Sequence, residues 1–391
     1  MNPKKLMNPV RNRSGDPDFI VFSIGDSRKP STWSNVPYFF TRTLERKGFS
    51  VERVNIGPPR SVQLLFDVPW KALCRVFGKQ TRFTYLRSAL NRRITEAKIK
   101  RTLQAFPQGH CVFMTYSFGA GPGRPYTLFC DQTFEDHIVY YDERKPDKLE
   151  HPTIVAERMN LRNAGHVVAF FPELAEKLKT LHGDKVKYYG NVVNIDEVEV
   201  DADRLIQLKK DTNEVVFIGN NRYKEGLVRL VDAVRLLNRS SGAQITVNVV
   251  GMDRLELPTA PANVKFHGYL DKGNPAQKRA YMDILERSRL FINPMPKWGA
   301  FSASCEAMYL YTPVVIVAYN EFEATFGKVD RVGFGLATGE PEELAGAIAG
   351  LMADERTWTE KAHAAHATTQ AMTWGNYVSR LLSDLGIRSG A

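Results

Sequence analysis

The strongest constraint on the fold of this chain is a recurrence of short apolar runs, each closed by Gly, Asp, Asn or a turn. Phe19–Ile24, Cys111–Thr115, Tyr126–Cys130 and Val167–Phe171 are such runs in the first half. Val215–Ile218, Ile245–Val250, Leu290–Asn293 and Pro313–Val317 continue the series in the second. Unbroken apolar runs of this length read as strands buried on both faces, the signature of a parallel sheet. Segments of helical spacing lie between them. Val36 to Lys47 reads as a helix closed by Gly48, and Leu227, Leu230, Val231, Val234 and Leu237 share one helix face. Val62 to Leu103 is helical in composition, and Pro341 opens a further helix. Strand, helix, strand in such short order implies βαβ units.

A length of 391 residues exceeds one ordinary core and fits two. The expected fold class is therefore α/β, with two successive doubly wound units. The boundaries read as a polar tail at 1–17, an N-terminal domain at 18–194 and a C-terminal domain at 195–371. A C-terminal helix at 372–391 is placed to cross back to the N-terminal domain. Ligands of such sheets bind beyond the carboxyl ends of the strands.

A hydrophobic content of 43% with 25% charged residues excludes a disordered chain. No stretch approaches the roughly 18 apolar residues of a membrane span, and the polar, basic opening residues do not resemble a cleaved signal peptide. Cys74, Cys111, Cys130 and Cys305 lie far apart without CxxC spacing, so a reducing, cytoplasmic setting is the expectation. The eight histidines are scattered, and Asp201-Ala202-Asp203 falls in a polar stretch, so no metal site is expected. The formal charge of +10 is uneven. Residues 1–101 hold 21 Lys/Arg against 7 Asp/Glu, and the remainder 32 against 36. That asymmetry reads either as a solvated basic face or as a contact for an anionic partner.

Several segments of the second half fall into a known order. They are Gly190-Asn191-Val192-Val193-Asn194, Gly219 to Gly226 before an amphipathic helix, and Val264 to Leu270. Glu306-Ala307-Met308 follows, with Thr312-Pro313-Val314-Val315 behind it, then Gly333 to Leu336 and Thr373-Trp374. In order and spacing the chain resembles a GT-B glycosyltransferase of family 4, the retaining glycosyl transferases group 1, over most of residues 165–380. The resemblance implies two Rossmann-like domains facing a central cleft. It implies transfer from a nucleotide sugar (UDP-, GDP- or ADP-linked) to a glycan or lipid-linked saccharide, without a cofactor or metal. It also brings in surface polysaccharide, lipopolysaccharide or glycolipid synthesis, with an anionic membrane surface as a further partner and no nucleic acid.

On that resemblance Glu306 accepts hydrogen bonds from the ribose hydroxyls; read alone, it is a first-turn glutamate favouring the helix dipole. Gly299, Ser302 and Ala303 open the helix toward the diphosphate. Gly219, Arg222 and Lys224 form the facing loop. The family places arginine and lysine where this chain has Asn220 and Glu225, so Arg222 and Lys224 stand as a displaced basic pair. Trp298 takes the place of the first glutamate of the family's paired-glutamate motif. An altered donor, an altered local alignment and lost activity all fit this change, and an altered donor fits the rest of the pattern best. In the first half Asp131 stands where relatives carry a histidine near the reacting carbon. It reads as a group that orients a hydroxyl, stabilises positive charge or accepts a proton, or as a strand-end turn aspartate, which its position favours. Gly25 and Asp26 form a loop for phosphate or acceptor, or an ordinary turn. The rival readings are a nucleotide-sugar binder without transfer and a basic nucleic-acid-binding protein. The segment Trp70 to Arg101 offers Trp70, Phe77, Phe83 and Tyr85 among basic residues for insertion at an anionic leaflet.

Overall fold

The computed structural model describes residues 15–116, 118–119, 121–196, 200–240, 244–297 and 301–388. Most of the polar tail thus lies outside the described residues. The chain divides into two compact units, residues 1–189 with 377–391, and residues 190–376. The sequence pattern places these cuts at 194/195 and 371/372 instead.

The first unit is a six-stranded parallel sheet in the order β2-β1-β3-β4-β5-β6. Its strands are β1 (Phe19–Ser23), β2 (Val51–Asn55), β3 (His110–Phe113), β4 (Tyr126–Cys130), β5 (His166–Ala169) and β6 (Val186–Tyr188). In register, Val21 lies opposite Arg53 on one side and Val112 on the other. Every residue of β1 and β4 is buried, as unbroken apolar runs require. The edge strand β2 is only partly covered, which is why it tolerates Glu52 and Arg53. The chain leaves β1 toward β2, then returns to β1's other side as β3. That reversal is the topological switch point of the sheet.

The second unit repeats the plan in the order β12-β11-β10-β7-β8-β9. Its strands are β7 (Glu214–Ile218), β8 (Thr246–Val250), β9 (Val264–Phe266), β10 (Leu290–Asn293), β11 (Val314–Val317) and β12 (Gly333–Leu336). Here the switch falls between β7 and β10, which pair directly. Gly251 is required behind β7: at φ +96°, an added Cβ would stand 2.7 Å from the carbonyl oxygen of Gly219.

The basic segment after β2 is not one helix. A helix Arg60–Val76 stops before Gly78, which takes φ +60°, and a second helix Ala89–Ala105 starts at Ser88. The Ser88 hydroxyl accepts the Asn91 N–H at 3.1 Å, an N-cap. Trp70, Phe83 and Tyr85, expected to face a membrane, turn inward instead. They cluster with Phe66, and the Trp70 indole donates to the Phe83 carbonyl at 3.1 Å. A ring cluster buries more apolar area on the body than three separate exposed rings could. Phe77 alone of the four stays well exposed.

Lys209, in the helix Ala202–Lys210, is fully buried in the second unit. Its ammonium donates to the carbonyls of Leu285 at 2.6 Å and Ser288 at 3.0 Å and to Thr312 Oγ1 at 2.9 Å. Burial pulls its pKa down from 10.5 to about 7. Between those values the unfolded chain holds a proton that the folded chain lacks, so stability from this site rises with pH across that window. Lys209→Met should therefore match or exceed the wild type below neutrality. Its relative stability should then fall by about 2–3 kcal/mol as pH rises from neutrality by two units. Denaturant unfolding at several pH values measures the gap; a gap independent of pH would mean that the three acceptors keep the ammonium charged in the fold.

Candidate functional site

In the second unit, the loops after β7 and β10 meet at the switch point. A Cβ added at Gly226 would stand 3.4 Å from the Met295 Cβ, so the first turn of the helix Lys224–Ser240, which follows the β7 loop, packs on the loop after β10. Gly219 ends β7, and a side chain there would press on Tyr223 at about 3.0 Å. Asn220 does not replace an arginine chemically. Its Oδ1 accepts the Arg222 N–H at 3.1 Å and shapes the turn Asn221–Tyr223. Arg222 and Lys224 are both exposed there, Lys224 at the start of the helix Lys224–Ser240. Glu225 is drawn away to Arg229, 3.4 Å distant.

Glu306 lies in the helix Phe301–Tyr309, beyond its first turn, so the helix-dipole reading of this residue is corrected. It is 2% exposed. The Lys272 ammonium donates to both its carboxylate oxygens, at 2.7 and 2.8 Å, and the buried Tyr281 hydroxyl donates to Oε2. Lys272 also reaches the Asn194 carbonyl at 3.2 Å, and Asn194 Oδ1 accepts the Trp374 indole at 2.9 Å. The interdomain-like segment 190–194 is thus tied to the Glu306 site from within the same unit. The burial of Tyr281 beside the carboxylate holds its hydroxyl well above the usual phenol range. Ser302 and Ala303 stand at the first turn of the same helix, where backbone N–H groups lack intrahelical acceptors. Trp298 and Gly299 lie outside the described residues.

The first unit carries a second candidate site at its own switch point. A cavity of about 400 Å³ opens at the carboxyl ends of β1, β3 and β4, lined among others by Ile24, Trp33, Tyr116, Asp131, Gln132 and His137. Asp131 is more than a turn residue. Its carboxylate does accept the Gln132 N–H at 2.8 Å, as a turn aspartate does, but also the Trp33 indole at 3.1 Å and the Tyr116 hydroxyl at 3.3 Å. Burial raises its pKa above the ordinary 3.8 against the lowering effect of these donors, Trp33 first among them. Trp33, Ser34 and Asn35 hold φ of 38°, 52° and 70°, a run of left-handed backbone that non-glycine residues avoid. Such strain is what an over-determined functional loop stores.

Gly25 and Asp26 do not line this cavity; they shape the loop above it. Gly25 takes φ +101° with its N–H on Asn55 Oδ1 at 3.0 Å, and Asp26 Oδ1 accepts the Arg28 N–H at 3.0 Å. Sequence reasoning missed Lys272, Tyr281, Trp33 and Tyr116. Only Tyr116, directly after the run Cys111–Thr115, carried a local signal. Among the described residues no cluster of His, Cys, Asp and Glu could hold a metal ion.

Two parallel six-stranded doubly wound units, each with its own switch point, define the GT-B class of fold. Residues 212–354, within the second unit, match the family described as glycosyl transferases group 1. A sucrose-phosphate synthase from Thermosynechococcus elongatus superimposes with TM-score 0.64 at 13% identity, over 94% of this chain and 99% of that one. HepE from Anabaena, solved with UDP and glucose, gives TM-score 0.61 at 15% identity, again over 94% and 99%. WaaG, a glycosyltransferase involved in lipopolysaccharide biosynthesis, gives 0.56 at 12% identity, over 75% of this chain and 82% of that one. At these identities the likeness is one of fold. No curated protein matches the sequence.

Proposed function

We propose that the protein transfers a sugar, with retention at the anomeric carbon, from a nucleotide-sugar donor to a glycan or lipid-linked saccharide in the synthesis of a surface polysaccharide or glycolipid. The observation that carries this reading is the buried Glu306 carboxylate in a domain matched by the family. A carboxylate offers about four acceptor positions, and Lys272 and Tyr281 occupy three, so a ribose hydroxyl takes the fourth. Arg222, Lys224 and the amides around Ser302 and Ala303 stabilise the leaving diphosphate without a metal ion. HepE was solved with UDP, which favours a UDP-linked donor over the GDP- and ADP-linked ones. Asp131, in the first unit, orients the reacting groups or accepts the acceptor's proton.

The site of action is the cytoplasmic face of the membrane, reached peripherally. No helix of the described residues is long and apolar enough to cross a bilayer. The helix Arg60–Val76 has no buried residue, yet Leu65, Val68, Leu73 and Val76 on it are 52–81% exposed, as is Phe77 just beyond. Arg60, Lys71 and Arg75 lie on the same helix and Lys79 just beyond it. Exposed apolar side chains together with cations are the composition of an interfacial helix.

Incubation with UDP-, GDP- and ADP-sugars should release free nucleotide from one class only, and most readily with a lipid-linked saccharide present. Release from none of them would remove the donor reading. In co-sedimentation, vesicles rich in phosphatidylglycerol should retain the protein at low salt and lose it as salt rises. Leu65→Glu with Val76→Glu should abolish retention with the fold intact; retention unaltered by that pair would take the membrane out of the account.

A further inference from the structure

Five of the 21 basic residues of the first quarter line a cavity that meets the Asp131 site only at Arg87. It lies beneath the helix Arg60–Val76 and has a volume of about 540 Å³. Six cationic side chains line it (Lys71, Arg75, Lys79, Arg82, Arg87 and Arg144) against one carboxylate, Asp142. Two of the six are already neutralised. Arg82 grips Asp142 through Nε at 2.7 Å and Nη2 at 2.6 Å, and Arg144 grips the fully buried Glu150 at 2.7 and 2.8 Å. The side chains of Lys71, Arg75 and Lys79 form no hydrogen bond or ion pair with any described residue.

Arg87 is a fourth cation without an ion pair among the described residues, though its guanidinium is held in place by other contacts. Its guanidinium lies 4.0 Å over the Phe134 ring. Its Nη1 donates to the Arg82 carbonyl at 3.2 Å and Thr84 Oγ1 at 3.4 Å, and its buried Nε has no partner among the described residues. A buried guanidinium with an unused donor is costly unless a ligand completes it. Arg87 also lines the Asp131 cavity, so one side chain is shared by the two cavities.

We propose that this basic cavity binds the phosphate or diphosphate of the acceptor, with Arg87 at the junction and the acceptor's sugar in the Asp131 cavity; the proposal rests on the reading that the first unit holds the acceptor. Three free cations and a guanidinium match the charge of a phosphoryl or diphosphoryl group, and guanidinium and phosphate share a fork geometry. A volume of about 540 Å³ suits a phosphorylated small group rather than a polymer backbone. Trp70 and Phe83 line the same cavity and offer an apolar wall for whatever carries the phosphate. The exposed apolar surface of the helix Arg60–Val76 lies on the same element. The phosphate's source is accordingly a lipid-linked phosphate or a soluble phosphorylated sugar.

The test is calorimetry on the full chain with inorganic pyrophosphate, alongside co-sedimentation with vesicles containing phosphatidic acid, with UDP binding measured separately. Pyrophosphate should bind, and the triple variant Lys71→Gln, Arg75→Gln, Lys79→Gln should weaken it at least about tenfold while leaving UDP affinity unchanged. The variant Arg93→Gln, Lys100→Gln, Arg101→Gln removes equal charge outside the cavity and should have little effect. Binding of phosphatidic acid vesicles without binding of pyrophosphate, lost in the first triple variant alone, assigns the cavity to a lipid headgroup. Pyrophosphate binding assigns it to phosphate from either source. Equal loss in both triple variants, or no binding of either probe, overturns the cavity as a site. If pyrophosphate binds as expected but the first triple variant leaves the KM of a phosphorylated acceptor unchanged, the cavity stands as an anion site and its link to the acceptor falls.

Discussion

Replacing Glu306 by alanine is expected to destabilise the second unit by about 3–5 kcal/mol, the usual cost of stripping one partner from a buried ion pair. The cost has three parts. Lys272, with its side chain 13% exposed, would keep the Asn194 carbonyl at 3.2 Å and its place 4.4 Å over the Tyr281 ring, and lose its counter-charge. The Tyr281 hydroxyl, buried at 5% exposure, would lose its acceptor. The space left by the carboxylate would add a cavity term. Loss of nucleotide binding in this variant therefore cannot by itself assign the ribose. Glu306→Gln separates the effects: it keeps an acceptor for Lys272 and Tyr281 but removes the charge. It should melt nearer the wild type, yet bind UDP more weakly by about 1.5–3 kcal/mol, the range for a hydrogen bond to a charged group. Calorimetry and thermal melting on both variants decide the matter. Unchanged UDP affinity in folded Glu306→Gln would leave Glu306 a structural residue, and unchanged melting of Glu306→Ala would mean that the ion pair contributes little.

The second large effect is expected at Asp131. If its carboxylate moves the acceptor's proton, Asp131→Asn should lower kcat by about 10²–10⁴; its one amide oxygen can still accept from Tyr116 and the Gln132 N–H, while its amide nitrogen then faces the Trp33 indole and that hydrogen bond is lost. The variant should not be lost to misfolding. Burial raises this group's pKa, so its contribution to stability is fullest below the unfolded value of 3.8 and declines as pH rises through the folded value. Near neutrality the neutral asparagine therefore removes an ionisation cost. The same raised pKa fixes the direction of the pH profile. Wild-type activity should fall on the acid side at a pH above that of an ordinary carboxylate, and the Asn variant should lack that limb. Undiminished turnover would restore Asp131 to the strand-end turn role that its sequence position favoured.

The architecture of the second unit was legible in the sequence because its signals are local. Unbroken apolar runs, glycine at strand ends, and Glu306-Ala307-Met308 ahead of Pro313-Val314-Val315 are contiguous patterns. Each reports burial or turn geometry within a few residues. The basic asymmetry was legible too, but its placement was not. Composition could not say that Trp70, Phe83 and Tyr85 would turn inward while Leu65 and Val76 turned out. Which face of a basic helix packs depends on what the body offers it, here the 3.1 Å acceptor at Phe83 and the ring cluster around Phe66.

By itself, then, the sequence determined the alternation of buried strands and helices, the two-unit plan and the place of the Glu306 carboxylate on the helix after β10. Those follow from side-chain periodicity and backbone preference, which act over one or two turns of chain. Only the tertiary structure decided the partners. Lys272 meets Glu306 across 34 residues, and Trp33 meets Asp131 across 98. Both meetings depend on strand order: Lys272 follows β9 and Glu306 follows β10, successive in the chain but separated by β8 and β7 in the sheet, while Trp33 follows β1 and Asp131 follows β4, separated by β3, and no local pattern encodes which segments beyond the strand ends will meet.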